Sequence, residues 1–180
     1  MFTLLLAGTF LSAGCSQKNK GEKSKSTNMT KPKNTSADLP SVAVVMKSKS
    51  QSKANGTIVL TETDSGLRLK GTIKGLDANS GHALHFHEKG SCKGDGAKGA
   101  GGHFNPENEK HGALSDKKHH AGDLGNYFAN SDGEIKVDKT FSHLKLTEGD
   151  KAVINRSMVL HAKKDDFTSQ PSGAAGKRIA

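Results

Sequence analysis

From residue 41 onward, apolar side chains fall on alternate positions. Residues 41–46 (SVAVVM) form a short apolar run. Residues 56–62 (GTIVLTE) and 67–73 (LRLKGTI) alternate, with Asp64, Ser65 and Gly66 as a turn between them. The stretch 82–87 (HALHFH) alternates again. It is followed by 125–129, by 134–139 (EIKVDK) after a turn at 130–133, and by 151–160 (KAVINRSMVL). A period of two sends one set of side chains to a core and the other away from it. No longer segment carries an apolar stripe of helical period. The pattern predicts an all-β sandwich or barrel of seven or eight short antiparallel strands. Two stretches, 89–123 and 161–178, carry no strand pattern. Loops of that length in a compact domain usually carry function.

The beginning of the chain reads differently. Residues 1–15 are a short apolar run that ends in small residues and Cys15 and gives way at once to polar sequence. This is the shape of a secretory segment with a cleavage site. It resembles a bacterial lipoprotein signal, which implies that Cys15 becomes the lipidated first residue of an exported protein held on the bacterial cell membrane. Residues 16–40 are rich in Lys, Ser, Asn and Thr, with six Lys against Glu22 and Asp38. Such a stretch cannot bury enough apolar surface to offset its ordering entropy, and it is expected to be a disordered tether. Its charge also suits an anionic lipid surface.

Composition narrows the choice further. The chain has 180 residues, 32% hydrophobic and 4% aromatic with no Trp, which argues against a large aromatic core or a Leu-rich bundle. No apolar run reaches the ~18 residues of a membrane-spanning helix. Twenty-one Gly against four Pro indicates many turns. The net charge of +9 raises nucleic-acid binding as an option. A base-stacking platform needs aromatics, however, and seven Phe and one Tyr offer little, so no nucleic-acid partner is expected.

Nine His is a high count. His85 and His87 stand two apart on a predicted strand, so both project from one face and can grip one ion. The first long loop then brings His103, His111, His120 and Asp123 within 21 residues, and His161 follows the last predicted strand. Imidazole and carboxylate ligands in such numbers suit zinc and copper.

The segments HFHEKGSC, GGHFNP, HHAGDLGN, MVLHAKKDDF and GAAGKRIA, in this order and spacing, resemble the successive motifs of the copper/zinc superoxide dismutases over about residues 41–180. The resemblance implies a Greek-key β-barrel of about eight strands with a zinc loop (89–123) and an electrostatic loop (161–178). It also implies copper held by His85, His87, His103 and His161, and zinc held by His103, His111, His120 and Asp123, with His103 bridging the two. Within the pair His119-His120, the pattern His-x-Gly-Asp selects His120. Asp165 falls where the family has a carboxylate that orients one histidine of each metal, and Arg178 where it has an anion-guiding arginine. Lys163, Lys164 and Lys177 are candidates to add to the attracting field. His82 and His143 match no ligand position and read as structural or surface residues.

The resemblance further implies that Cys92 is the loop cysteine of the family's intrasubunit disulfide, with no partner in this chain, and that the last strand is cut short after Ile179-Ala180. The run 94–99 (GDGAKG) lacks the strand–helix context of a dinucleotide loop and reads as a flexible turn. The activity implied is dismutation of superoxide to dioxygen and hydrogen peroxide outside the cytoplasm. The alternative is a non-enzymatic copper/zinc-binding module on the same barrel, which would have no use for Arg178.

Overall fold

The computed structural model describes residues 39–180; the expected signal segment with Cys15, and the expected tether as far as residue 38, lie outside the described residues. Among the described residues seven strands are formed: β1 (Ser41–Met46), β2 (Asn55–Thr63), β3 (Gly66–Lys74), β4 (Gly81–His87), β5 (Asp123–Phe128), β6 (Ile135–Phe141) and β7 (Ser157–Leu160). One sheet has the order β1-β2-β3-β6 and the other β5-β4-β7, with every pairing antiparallel. The chain crosses between sheets after β3, returns after β5 to place β6 beside β3, and crosses again to place β7 beside β4. These crossings between the sheets are those of a Greek key.

Alternation builds the core between the sheets. Ile58 and Leu60 of β2, Leu67, Leu69 and Ile73 of β3, and Ile135, Val137 and Phe141 of β6 all point inward and are buried. The outer face of the same sheet carries pairs such as Arg68–Asp138 at 2.9 Å. From the other sheet, Leu84 and Phe86 of β4 enter the same core. The residues between and beyond them, His85 and His87, necessarily project from the opposite face of β4. They are nonetheless buried, because the two long loops cover that face.

Three expectations need correction. The strand read at 151–160 is confined to Ser157–Leu160. The earlier half is a loop: Lys145 and Ala152 form an isolated parallel bridge, Val153 N–H donates to Lys145 O at 3.0 Å, and Asn155 turns the chain at φ 60. The apolar alternation there reflects Val153 packing into the core beside Leu144 and Leu146, not pairing in a sheet. Asp123, assigned to the loop, is the first residue of β5 and pairs across from His85. The run 94–99, read as flexible, lies in a formed 3-10 segment (Asp95–Ala100) with Gly96 and Ala97 both left-handed and Ala97 buried.

Candidate metal centre

β4 is the middle strand of its sheet, and the elements flanking it bring up the other ligands. His85 pairs with Val159 of β7 on one side and with Asp123 of β5 on the other. His103 bridges to His87 at the end of β4. After β7 the chain keeps its pairing, since His161 N–H donates to Ala83 O at 2.9 Å. Phe86, Phe104 and Gly122 close a ring of backbone bonds: Phe86 N–H to Gly122 O (2.9 Å), Gly122 N–H to Phe104 O (2.8 Å) and Phe104 N–H to Phe86 O (2.9 Å). The first long loop is thereby tied to β4 beside both His103 and Asp123.

Two buried clusters result. One comprises His85, His87, His103 and His161, the other His103, His111, His120 and Asp123, and in each the ligand atoms all lie within 4.8 Å of one another. His103 belongs to both. All seven residues predicted from the sequence are therefore brought together. Ring centroids of His85 and His103 are 4.0 Å apart, and those of His103 and His111 5.3 Å.

The hydrogen bonds fix which nitrogen of each ring faces inward. His87 Nδ1 donates to Gly101 O at 3.0 Å and His161 Nδ1 to Gly176 O at 3.2 Å. Their Nε2 atoms then face each other across 3.4 Å with no proton left between them, a placement that calls for a cation. His85 Nε2 donates to Asp165 Oδ2 (2.9 Å) and His111 Nε2 to Asp165 Oδ1 (2.8 Å). One buried carboxylate thus orients one ring of each cluster. His85 Nδ1, His103 Nε2, His111 Nδ1 and His120 Nδ1 are buried without a hydrogen-bond partner. His111 Nδ1 is only 3.0 Å from Asp123 Oδ2 but is not aligned for a bond, as two ligands crowded around one ion would be. Buried imidazole nitrogens without partners are unfavourable unless an ion satisfies them, so the donor set fits copper and zinc.

Electrostatics agree. Burial pushes His87 down to about 2 and His161 to about 3, and the charge of Arg178 acts in the same direction on both. Burial lowers His103 to about 4 against the opposing effect of its hydrogen bond to Asp123. Neutral rings are the ligating form. Burial alone would raise Asp123, but the bond from His103 and the neighbouring rings of His111 and His120 outweigh it and hold the carboxyl far below its ordinary range.

A cleft of about 650 Å³ opens onto the clusters and is lined by His87, His103, His161 and Arg178, among others. Arg178 is not a loose tail residue. It bridges to His161, and its guanidinium donates to Ala97 O (2.8 Å) and Gly101 O (2.6 Å). Gly101 O therefore serves His87 and Arg178 together. The following residue is tied down as well, with Ile179 O accepting from Lys49 N–H and Ser52 Oγ, and Ala180 O from Leu160 N–H. None of Lys163, Lys164 and Lys177 lines this cleft, whereas Arg156 does, stacked 4.2 Å from the Phe104 ring. His82 has a structural place, its Nδ1 donating to the carbonyl of His161 at 2.8 Å. Cys92 carries a free thiol 3.5 Å from Ser157 Oγ.

Three supporting residues escaped the sequence reading. Arg156 is one. Gln170 accepts from His111 N–H and donates to His111 O, both at 2.9 Å. Asn126 clamps the backbone of Asp165 in the same two-sided manner, at 2.7 and 2.9 Å. A lone Gln in a loop or a lone Asn on a strand carries no spacing signal, so only the fold reveals either role.

The family model for copper/zinc superoxide dismutase (SODC) matches residues 54–180. The chain belongs to the copper/zinc superoxide dismutase family. "Superoxide dismutase [Cu-Zn] 2" of Aquifex aeolicus (strain VF5) is 40% identical over 129 residues, 69% of this chain and 75% of that protein. "Extracellular superoxide dismutase [Cu-Zn]" of Caenorhabditis elegans is 40% identical over 131 residues, 69% of this chain and 58% of that protein. Among solved structures, a double mutant of a SOD-like protein from Bacillus subtilis aligns with a TM-score of 0.69 and 34% identity, covering 75% of this chain and 92% of the other. Family membership makes this superoxide dismutase an enzyme with copper and zinc as cofactors and superoxide as substrate.

Proposed function

We propose that the protein removes superoxide outside the cytoplasm, with copper held by His85, His87, His103 and His161 and zinc by His103, His111, His120 and Asp123. The observation that carries this assignment is the pair of buried clusters sharing His103, opened to solvent by a cleft that Arg178 borders. When bound, copper supplies the one-electron couple that two superoxide ions use in turn, and zinc supplies a fixed positive charge. The overall balance is two superoxide ions and two protons to one dioxygen and one hydrogen peroxide.

The chain's own residues do the rest. Arg178 attracts the small anion and, with its guanidinium fixed by two carbonyls, holds it beside the all-histidine cluster. Asp165 keeps His85 and His111 in one tautomer and one orientation. His103 Nε2 faces that cluster without a hydrogen-bond partner, while its Nδ1 is held 2.9 Å from Asp123. His103 Nε2 is thus the atom at which a proton is taken up and passed to the departing peroxide. Decay of pulse-generated superoxide with metal-loaded protein tests the reading. A rate no greater than that of the same free copper would leave a non-enzymatic copper/zinc-binding module in its place.

The location rests on the chain's beginning. The apolar segment ending at Cys15 supports a lipid anchor, and the Lys-rich stretch to residue 40 supports a spacer between membrane and barrel. The name of the nematode relative, an extracellular superoxide dismutase, accords with a site outside the cytoplasm. Cys15→Ser is expected to move the protein from the membrane fraction to the soluble fraction, because the tether alone has little apolar area to insert. Unchanged fractionation would refute the anchor and leave the dismutase reading intact.

A further inference from the structure

His119 and His143 take no part in the dinuclear centre, yet their rings are arranged as ligands are. His119 Nδ1 donates to His120 O at 2.7 Å, and His143 Nε2 donates to Ala121 O at 3.2 Å. Each ring has its proton committed to a backbone carbonyl and keeps one lone pair, at His119 Nε2 and at His143 Nδ1. Carbonyl-fixed tautomers are those that metal-ligating histidines adopt. His87 and His161 show the same device within the dinuclear centre.

The spacing matches too. The two ring centroids are 5.3 Å apart with the planes at 84°. Inside the zinc cluster, His103 and His120 stand at 5.5 Å and 89°, and His111 and His120 at 5.4 Å. The outer pair faces a cavity of about 340 Å³ that shares no lining residue with the cleft. Glu107 and Glu109 line it with them. Glu107 binds Lys151 through Oε2 (2.7 Å) and Glu109 binds Lys118 through Oε1 (2.9 Å), so each carboxylate keeps a second oxygen free. Those pairings also neutralise two of the three lysines on the cavity wall, leaving Lys117.

We propose that His119 Nε2, His143 Nδ1 and a carboxylate oxygen of Glu107 form a third metal site for a zinc-class divalent cation, separate from the dinuclear centre. Two imidazoles, one carboxylate and a water make a four-coordinate set that zinc accepts. Glu107 is exposed and must swing in to complete it, and Lys117 opposes the charge. The site is therefore weaker than the two buried clusters, where every ligand is already in place. An ion here would fasten the loop carrying His120 to the segment after β6.

The test uses full-length protein with its copper and zinc sites already loaded, titrated with zinc chloride by calorimetry, with bound zinc counted by elemental analysis. One additional zinc per chain is expected in the wild type. His143→Ala and His119→Gln should each abolish it, and Glu107→Gln should weaken it several-fold. The His143→Ala protein should keep its first zinc, its copper and its dismutation rate. No additional zinc in the wild type, or the same additional zinc in His143→Ala, would overturn the proposal. Should His143→Ala not fold, the His119→Gln and Glu107→Gln titrations decide in its place: unchanged uptake in both overturns it, and loss or weakening upholds it.

Discussion

His111 is caught between two carboxylates, with Nδ1 3.0 Å from Asp123 and Nε2 2.8 Å from Asp165. Burial works against its charge, but the two carboxylates, Asp123 close by and Asp165 hydrogen-bonded, outweigh it and raise the ring to about 9. After chelation, the ring is therefore an imidazolium at neutral pH, and zinc must displace its proton. Zinc affinity of the stripped protein is expected to climb with pH up to about 9 and then flatten, as a competition titration would read. The stability consequence has a definite sign. A raised histidine stabilises fully below its ordinary 6.5, and that contribution fades as pH rises through about 9. Asp123 and Asp165, held below their ordinary 3.8, contribute above that value and lose their effect as the pH falls well beneath it. Stripped protein should thus gain most from this pairing between 3.8 and 6.5, checked by urea midpoints across pH. Asp165→Asn removes one acceptor of a two-ring clamp and should lower zinc affinity about 10–100-fold, the range for partners that orient ligands. The seven clustered residues were legible because six of them are histidines, concentrated in a few segments, and because the HFH and HAGD spacings are specific. Asn126 and Gln170 were not, because they act through backbone atoms brought near only by folding.

At the scale of elements, strands that bury one face could be read to within a residue or two. β2 and β3 alternate between buried and exposed positions along much of their length, β1 is a short apolar run, and β4 alternates in residue type although both its faces are buried. The reading failed at 151–156, where similar alternation serves a loop packed on the core, since periodicity records burial and not hydrogen bonding. The order within the first long loop was also hidden. It comes from the backbone ring of Phe86, Phe104 and Gly122, which no side-chain pattern announces. Gly122 is required there, for an added Cβ would run into Phe86 O and come within 3.1 Å of Phe104 Cβ. Neither backbone can retreat without opening the ring. Gly122→Ala should therefore cost about 1–3 kcal/mol, the scale of overpacking, and loosen His103 and Asp123 together. Thermal unfolding of loaded and stripped protein would check this, with the larger loss of metal retention expected at the cluster containing Asp123.

Across the whole molecule, a charge of +9 on its own says little about where an anion goes. The fold decides that. Lys163, Lys164 and Lys177 lie off the cleft, whereas Arg178 borders it with two donors fixed to Ala97 O and Gly101 O. Fixing matters, because a guanidinium already anchored loses little freedom when it meets the anion. Gly101 O also holds His87, so the Arg178 guanidinium and a ring of the all-histidine cluster share one backbone carbonyl. Arg178→Ala is expected to keep both metals while lowering the dismutation rate constant about 10–100-fold, the scale of local electrostatic guidance. Arg178→Lys should recover part of that loss, since the charge returns without the planar fork. Raising ionic strength should slow the wild type more than Arg178→Ala, because screening weakens an attraction the variant lacks. The measurement is pulse-generated superoxide decay at two salt concentrations, with copper and zinc verified in each sample. Equal rates for wild type and Arg178→Ala at both salts would show that the anion is drawn by the wider positive surface, and Arg156, the other arginine on the cleft wall, would be the next residue to remove.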